Sequence, residues 1–317
     1  MITEIRLTKE EIATPYDFNY SLTHYNIYPW ISEDELLKRV LRLKNDKLCV
    51  VEIQSIGTID SPELIIKAKS ILDLEPVEVT EIKETISWCL GLKEDYTQFY
   101  KLCKTDRVLL AALEGRYGSK SKTYPTIFEA IIGVICAQNI QFKRLYSMMY
   151  NLSSKFGEKI TIDETDYFAF PTPEDISQAS IEDLRACKVG YRDKYIKGIA
   201  DIISRNRMNL DQLKNLPDEE IYKYLMQLPG VGPYTASLVL SVGLRKKNIF
   251  HLDSFVREAM YVFYFDNKKV ADSEIIEFAN NRWDGFQSLA VDALTTNTEI
   301  WAKKLGVNFK YRSGAKE

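Results

Sequence analysis

Residues 218–257 read DEEIYKYLMQLPGVGPYTASLVLSVGLRKKNIFHLDSFVR, and this stretch decides the fold of the larger part of the chain. Ile221, Tyr222, Leu225 and Leu228 stand three and four apart, as on one face of a helix, and Leu-Pro-Gly-Val-Gly-Pro then breaks the pattern. Helical spacing resumes from Tyr234 to Val242, with the small residues Thr235, Ala236 and Ser237 on its first turn. The reading is a helix–hairpin–helix. Gly230 and Gly232 permit positive φ and close backbone approach, so the amides of Gly230, Val231 and Gly232 are free to face an anion at the second helix N-terminus. A DNA phosphate suits that position, because backbone contacts fix register on a duplex without reading sequence. Downstream, Asp253 precedes an apolar helical stretch, the place of a helix N-cap.

Working outward, helical periodicity extends upstream to about residue 106, through Ile127, Phe128, Ile131, Val134 and Ile135 and then Leu145, Met148, Met149 and Leu152. Before it the pattern changes: LCVVEIQSIG at 48–57 and ELIIKAKSIL at 63–72 carry β-branched and aliphatic clusters of strand length. The expected organisation is an α+β domain over 1–105, a mainly α-helical domain over 106–310 with its hairpin near 219–242, and a frayed polar tail over 311–317.

Composition narrows the chemistry. With 317 residues, 45% hydrophobic and 27% charged, the chain has the makeup of a globular protein of two or more domains. Charges interrupt every apolar run, so no membrane span is expected. The first residues carry charges and lack an apolar signal core, so a cytoplasmic protein is expected. Five dispersed cysteines without a CxxC pair argue against a zinc ribbon, an iron–sulfur cluster or a disulfide framework. Only His24 and His251 are present, so a Ser-His-Asp triad would have to use His251, and carboxylates are the better source of chemistry. A net charge of −3 leaves the partner undecided, since a hairpin that binds through amides needs no basic surplus.

L-P-G-V-G-P-Y-T-A followed by L-D-S resembles the helix–hairpin–helix (HhH-GPD) DNA glycosylase superfamily. The likeness extends to Phe128–Asn139, similar to the superfamily's first core helix and DNA-probing loop, and to Val189–Ile196, similar to the 8-oxoguanine branch. It covers about residues 90–305 and places the chain in the 3-methyladenine and 8-oxoguanine branch. The preceding α+β domain is similar in size and place to the one these glycosylases share. The resemblance implies a flipped-out base, a cleft between domains, damaged double-stranded DNA as partner, a monomer working at the nucleoid, and no cofactor. It also implies a hairpin able to hold Na⁺ or K⁺ through the carbonyls of Leu228 and Gly230.

Carried over residue by residue, the family's catalytic aspartate falls on Asp253, whose charge would stabilise oxocarbenium character at the sugar and orient the attacking water. The lysine that gives the bifunctional members their Schiff base is replaced by Tyr234, and a phenol forms no imine. Lys246 or Lys247 is the remaining source of an amine nearby. Where the 8-oxoguanine enzymes hold their base, this chain has Leu238 for cysteine, Val291 for glutamine and Thr295 for phenylalanine. The resemblance therefore implies a monofunctional enzyme for alkylated purines, whose cationic bases need an electron-rich aromatic pocket, with Tyr234, Leu238, Trp283 and Phe286 as its expected lining. Trp283 and Phe286 also fit a helical core. Gln138 and Asn139 are expected to enter the duplex, with Asn139 alternatively a helix cap, and Arg192, Lys194, Lys143 and Arg144 are candidate phosphate contacts. Two alternatives stay open: an 8-oxoguanine-type glycosylase and AP lyase, and a damage-binding module without chemistry.

Overall fold

The computed structural model describes residues 1–206 and 210–311. In chain order the elements are β1 (Ile2–Leu7), α1 (Phe18–Thr23), β2 (Ile31–Glu33), β3 (Leu36–Arg42), β4 (Leu48–Ser55), β5 (Leu64–Lys69), α2 (Pro76–Leu90), α3 (Thr97–Lys104) and α4 (Arg107–Leu113). There follow α5 (Ile127–Ala137), α6 (Phe142–Phe156), β6 (Lys159–Ile162), β7 (Thr165–Phe168), α7 (Pro173–Gln178), α8 (Ile181–Ala186), α9 (Asp193–Asn206) and α10 (Asp218–Leu225). The last are α11 (Pro233–Leu238), α12 (Ser254–Tyr264), α13 (Asp272–Arg282), α14 (Gln287–Thr295) and α15 (Thr298–Lys304). The expected succession of an α+β N-terminal part and a mainly helical remainder is what the chain adopts. Among the described residues no helix is long and apolar enough to cross a membrane.

The first five strands form an antiparallel sheet in the order β1-β5-β4-β3-β2. Alternation sends Leu7, Leu37, Leu41, Val51, Ile53, Leu64 and Ile66 to one face, where Ile82, Ile86 and Cys89 of α2 cover them. On the other face Val40, Leu48 and Val50 pack with Ile160 and Ala169 around the β6–β7 hairpin. Burial on both faces explains why β4 opens with four consecutive buried apolar residues, Leu48 to Val51, instead of alternating.

The chain forms two compact units, one of Met1–Glu94 and Gly118–Val231, the other of Asp95–Tyr117 and Gly232 onward. The division at residue 105 read from the sequence falls between α3 and α4, two helices of the same unit, while the sheet already gives way to helices at α2. In the first unit the segment entering α5 is fastened to the N-terminal part through backbone carbonyls. Thr123 N–H donates to Cys89 O at 2.8 Å, Trp88 Nε1 to Tyr124 O at 3.2 Å, and Lys120 Nζ to Ala13 O at 2.7 Å. The buried Lys122 ammonium donates to the carbonyls of Ser21 and His24, and burial brings its pKa down to about 7. The buried Arg39 guanidinium of β3 donates to both carboxylate oxygens of Glu129 in α5, at 3.0 and 3.1 Å, and lies 4.7 Å from the centre of the Trp30 ring.

In the second unit one carboxylate organises the core. Asp106 caps α4 by accepting the amides of Val108 and Leu109 at 3.0 and 3.1 Å. It also accepts from Tyr264 Oη at 3.1 Å, Arg282 Nε at 3.1 Å and Trp283 Nε1 at 3.4 Å. The expected fraying from residue 311 is corrected at Tyr311, whose hydroxyl meets Ser254 Oγ at 2.5 Å and whose ring packs edge-on to Phe255. Residues 312–317 of that tail lie outside the described residues.

Candidate active site

The hairpin is built as its residues dictate. Helix α10 ends at Leu225, the Val231 amide closes a turn onto Leu228 O at 3.1 Å, and Pro233 opens α11 at a position that needs no amide donor. Gly230 has φ of 76°, and a Cβ there would stand 2.5 Å from Cδ2 of Tyr195 on α9, so both conformation and space require glycine. Gly232 differs from expectation: its φ is −99°, an ordinary extended value, and a Cβ would meet nothing within 4 Å. The carbonyls of Leu228 and Gly230 each already accept a hydrogen bond, from Val231 N and from Gln138 Nε2 at 3.0 Å. Each carbonyl oxygen keeps a second lone pair beyond that hydrogen bond. Among the described residues no cluster of three His, Cys, Asp or Glu side chains has metal-binding form.

Beyond α11 the helix widens into a π turn over Val239–Gly243, with Leu244 N–H reaching Val239 O at 3.1 Å. A loop with Arg245 in the left-handed region and a turn at 247–248 then leads to Asp253, which caps α12: its Oδ1 accepts the Val256 amide at 2.7 Å. The Tyr234 hydroxyl donates to the same carboxylate, and burial together with the aspartate charge pushes the phenol well above its usual pKa. Tyr234 remains 37% exposed beside this anchored carboxylate. His251 stands edge-on to that ring, with centroids 6.1 Å apart. Its Nδ1 lies 3.4 Å from Ser241 Oγ, which also donates to Leu238 O at 3.2 Å. Burial holds the imidazole pKa down to about 4, against the opposing pull of Asp253 and Asp292.

The structure thus brings Asp253 and Tyr234 together and adds His251 and Ser241, which sequence reasoning had not assigned to the site. Leu238 is half-buried, and its carbonyl takes the Ser241 hydroxyl. Trp283 needs correction as a base-stacking residue: it is fully buried, its indole N–H is spent on Asp106, and Phe250, Tyr264 and Phe278 enclose its ring. Phe286 is likewise drawn onto that core, 5.8 Å from the Phe99 ring. The Lys247 ammonium lies over Tyr96 at 5.0 Å.

Arg192 is also corrected. It is 4% exposed and donates to Ile135 O at 3.1 Å, Val189 O at 3.2 Å and Gln138 O, which turns its guanidinium away from any phosphate. Its work is to satisfy the carbonyls at the end of α5 and so fix the loop that follows. There Gln138 caps the helix and reaches Gly230 O, while Asn139 is exposed in the left-handed region at φ 52°. Lys143, Arg144 and Lys194 are exposed.

Residues 132–284 match the model of the HhH-GPD superfamily of base excision DNA repair proteins. A DNA-3-methyladenine glycosylase of Bacillus subtilis is 27% identical over 251 residues, covering 77% of this chain and 82% of that protein. The fold is that of a 3-methyladenine DNA glycosylase from Archaeoglobus fulgidus, with a TM-score of 0.79 and 23% identity over 94% of this chain and 99% of that one. It is also that of a Clostridium acetobutylicum 8-oxoguanine glycosylase/lyase solved with double-stranded DNA, with a TM-score of 0.71 and 22% identity over 96% of this chain and 99% of that one.

Proposed function

We propose that this chain, a base-excision DNA glycosylase carrying the HhH-GPD domain, hydrolyses the N-glycosidic bond of an alkylated purine flipped from double-stranded DNA, without a covalent intermediate. The observation that carries this reading is the hydrogen bond from Tyr234 to Asp253, at the position where the resembling lyases place an amine. Asp253, held by the Val256 amide and the phenol, is a fixed anion at a helix N-terminus. Such a charge stabilises the cation that grows on the sugar as the C–N bond breaks and orients the water that adds to it. Purine alkylated at N3 or N7 leaves as a neutral base from a cationic one, so the pocket has no need to protonate it. Tyr234, exposed beside Asp253, supplies the attraction such a cationic base requires.

DNA is held, in this reading, by the hairpin and by the loop after α5. Open space in front of Gly232 leaves room for a phosphate at its amide, and Asn139, Lys143, Arg144 and Lys194 supply exposed polar and cationic side chains. The test is incubation with end-labelled duplexes carrying a stable 3-methyladenine analogue, hypoxanthine, ethenoadenine, uracil or 8-oxoguanine, each with and without later amine treatment. Breaks only after treatment, from an alkylated-type lesion, are expected. Breaks without treatment, or borohydride trapping, would replace this reading with the glycosylase and lyase. Binding without release in both the wild type and Asp253→Asn would leave a damage-binding module.

A further inference from the structure

The π turn gives Ser241 a role that proton bookkeeping makes specific. A hydroxyl carries one hydrogen: spent on Leu238 O at 3.2 Å it leaves only lone pairs for His251 Nδ1 at 3.4 Å, and spent on Nδ1 it selects the opposite tautomer. The first arrangement puts the imidazole proton on Nδ1 and the lone pair on Nε2. Opening the helix to an i to i+5 bond, Leu244 N–H to Val239 O, shifts the phase of the turn that holds Ser241. The imidazole so fixed meets the Tyr234 ring at an interplanar angle of 66°, and Tyr234 has a single ordinary task, donating to Asp253. A tyrosine ring turns about two side-chain bonds, and Tyr234, 37% exposed, needs a neighbour to define where its hydroxyl points.

We propose that His251 is a positioning residue for the chemistry assigned to Asp253, on which the proposal rests: locked as the Nδ1–H tautomer by Ser241, it packs edge-on against Tyr234 and keeps the phenol on the Asp253 carboxylate. Neutrality suits the task, since an imidazolium beside Asp253 would compete with the phenol for the carboxylate. The charged and titratable groups acting on His251 are Asp253, Asp292 and Tyr234, and burial outweighs the two aspartates.

Two measurements on the full chain test this. The chain has only two histidines, so nitrogen-15 spectra of the wild type and a His24→Gln variant assign His251 unambiguously. The expected spectrum shows one neutral Nδ1–H form from about pH 5.5 to 8, and Ser241→Ala releases it toward the Nε2–H form. An Nε2–H ring in the wild type, or a ring protonated near pH 6.5, would overturn the proposal. The second is single-turnover base release on the lesion duplex, beside affinity for a duplex with a tetrahydrofuran abasic site. His251→Ala is expected to lower the rate about tenfold with affinity within about twofold, and His251→Phe, which keeps an edge for Tyr234, to recover most of it. Because His251 acts through Tyr234, adding His251→Ala to Tyr234→Phe is expected to cost little beyond Tyr234→Phe alone. Multiplying losses, or an unchanged His251→Ala rate, would sink the positioning role while Asp253→Asn remains inactive. Full activity of Asp253→Asn would instead remove the reading beneath it.

Discussion

Asp253 caps α12 through the Val256 amide, and in the function proposed here the same carboxylate also presents the anion that the chemistry needs, two duties that do not conflict. Asp253→Asn keeps an acceptor for the cap and removes the charge, so stability should change by less than about 1 kcal/mol while excision falls at least about a hundredfold, measured by thermal melting beside single-turnover release. Histidine 251 gives a test at the same scale. Its folded pKa, about 4, lies below the ordinary value of 6.5, so the unfolded chain takes up this proton first as pH falls. The contribution is therefore neutral above about pH 6.5, erodes stability between about 6.5 and 4, and is constant below. Relative to the wild type, His251→Gln should gain melting temperature from pH 7.5 to 4.5; a constant difference across that range would contradict the assigned shift. From the residues alone Asp253 was legible as an N-cap, which the structure shows, whereas its place in a site beside Tyr234 came from the family resemblance. What encloses Trp283 and Arg192 was not legible, because it comes from distant segments: the Asp106 and Tyr264 side chains for one, the Ile135 and Gln138 carbonyls for the other.

Among the elements, the hairpin shows how much two identical residues can differ. Gly230 is fixed by the fold, with φ of 76° and the Tyr195 ring against its missing Cβ, so Gly230→Ala should destabilise the chain by more than about 1 kcal/mol. Gly232 meets no neighbour, so Gly232→Ala should melt within about 0.5 kcal/mol of the wild type yet bind duplex DNA more weakly, by obstructing a phosphate. Equal DNA affinity for Gly232→Ala, read by fluorescence anisotropy, would remove the hairpin amide from the interface. The breaks at Pro229 and Gly230 and the restart at Pro233 were readable from backbone preferences alone, as was the Asp253 cap. The π turn at Val239–Gly243 was not: Val, Leu, Ser and Val at those positions suit an α-helix equally, and only the hydrogen bonds distinguish the two. Glycine at 232 read as a conformational need, but the structure shows an ordinary extended φ and open space there.

For the molecule as a whole, the sequence registers that a strand-bearing part precedes a mainly helical one, because periodicities of two and 3.6 residues are local properties, but the strands of the N-terminal sheet end at β5 and not near 105. It does not register that residues 95–117 pack with the C-terminal helices while 118–231 stay with the N-terminal sheet, since that depends on side chains meeting across long separations. The Arg39–Glu129 pair is the sharpest instance, joining β3 to α5 across ninety positions inside the first unit. Burial pushes the Glu129 carboxyl above its ordinary pKa and the Arg39 guanidinium opposes it. Each partner is costly to bury alone, and the pair persists because each charge compensates the other. Arg39→Met leaves Glu129 buried without its cation, and Glu129→Leu leaves Arg39 without its anion, so each should destabilise by about 3–5 kcal/mol in urea denaturation. The double variant Arg39→Met/Glu129→Leu removes both charges and fills the space with apolar volume, so it should recover most of that loss. Were the double variant as unstable as the sum of the singles, the pair would owe its place to the shape of the guanidinium over Trp30, and charge compensation would not be what binds sheet to helix here.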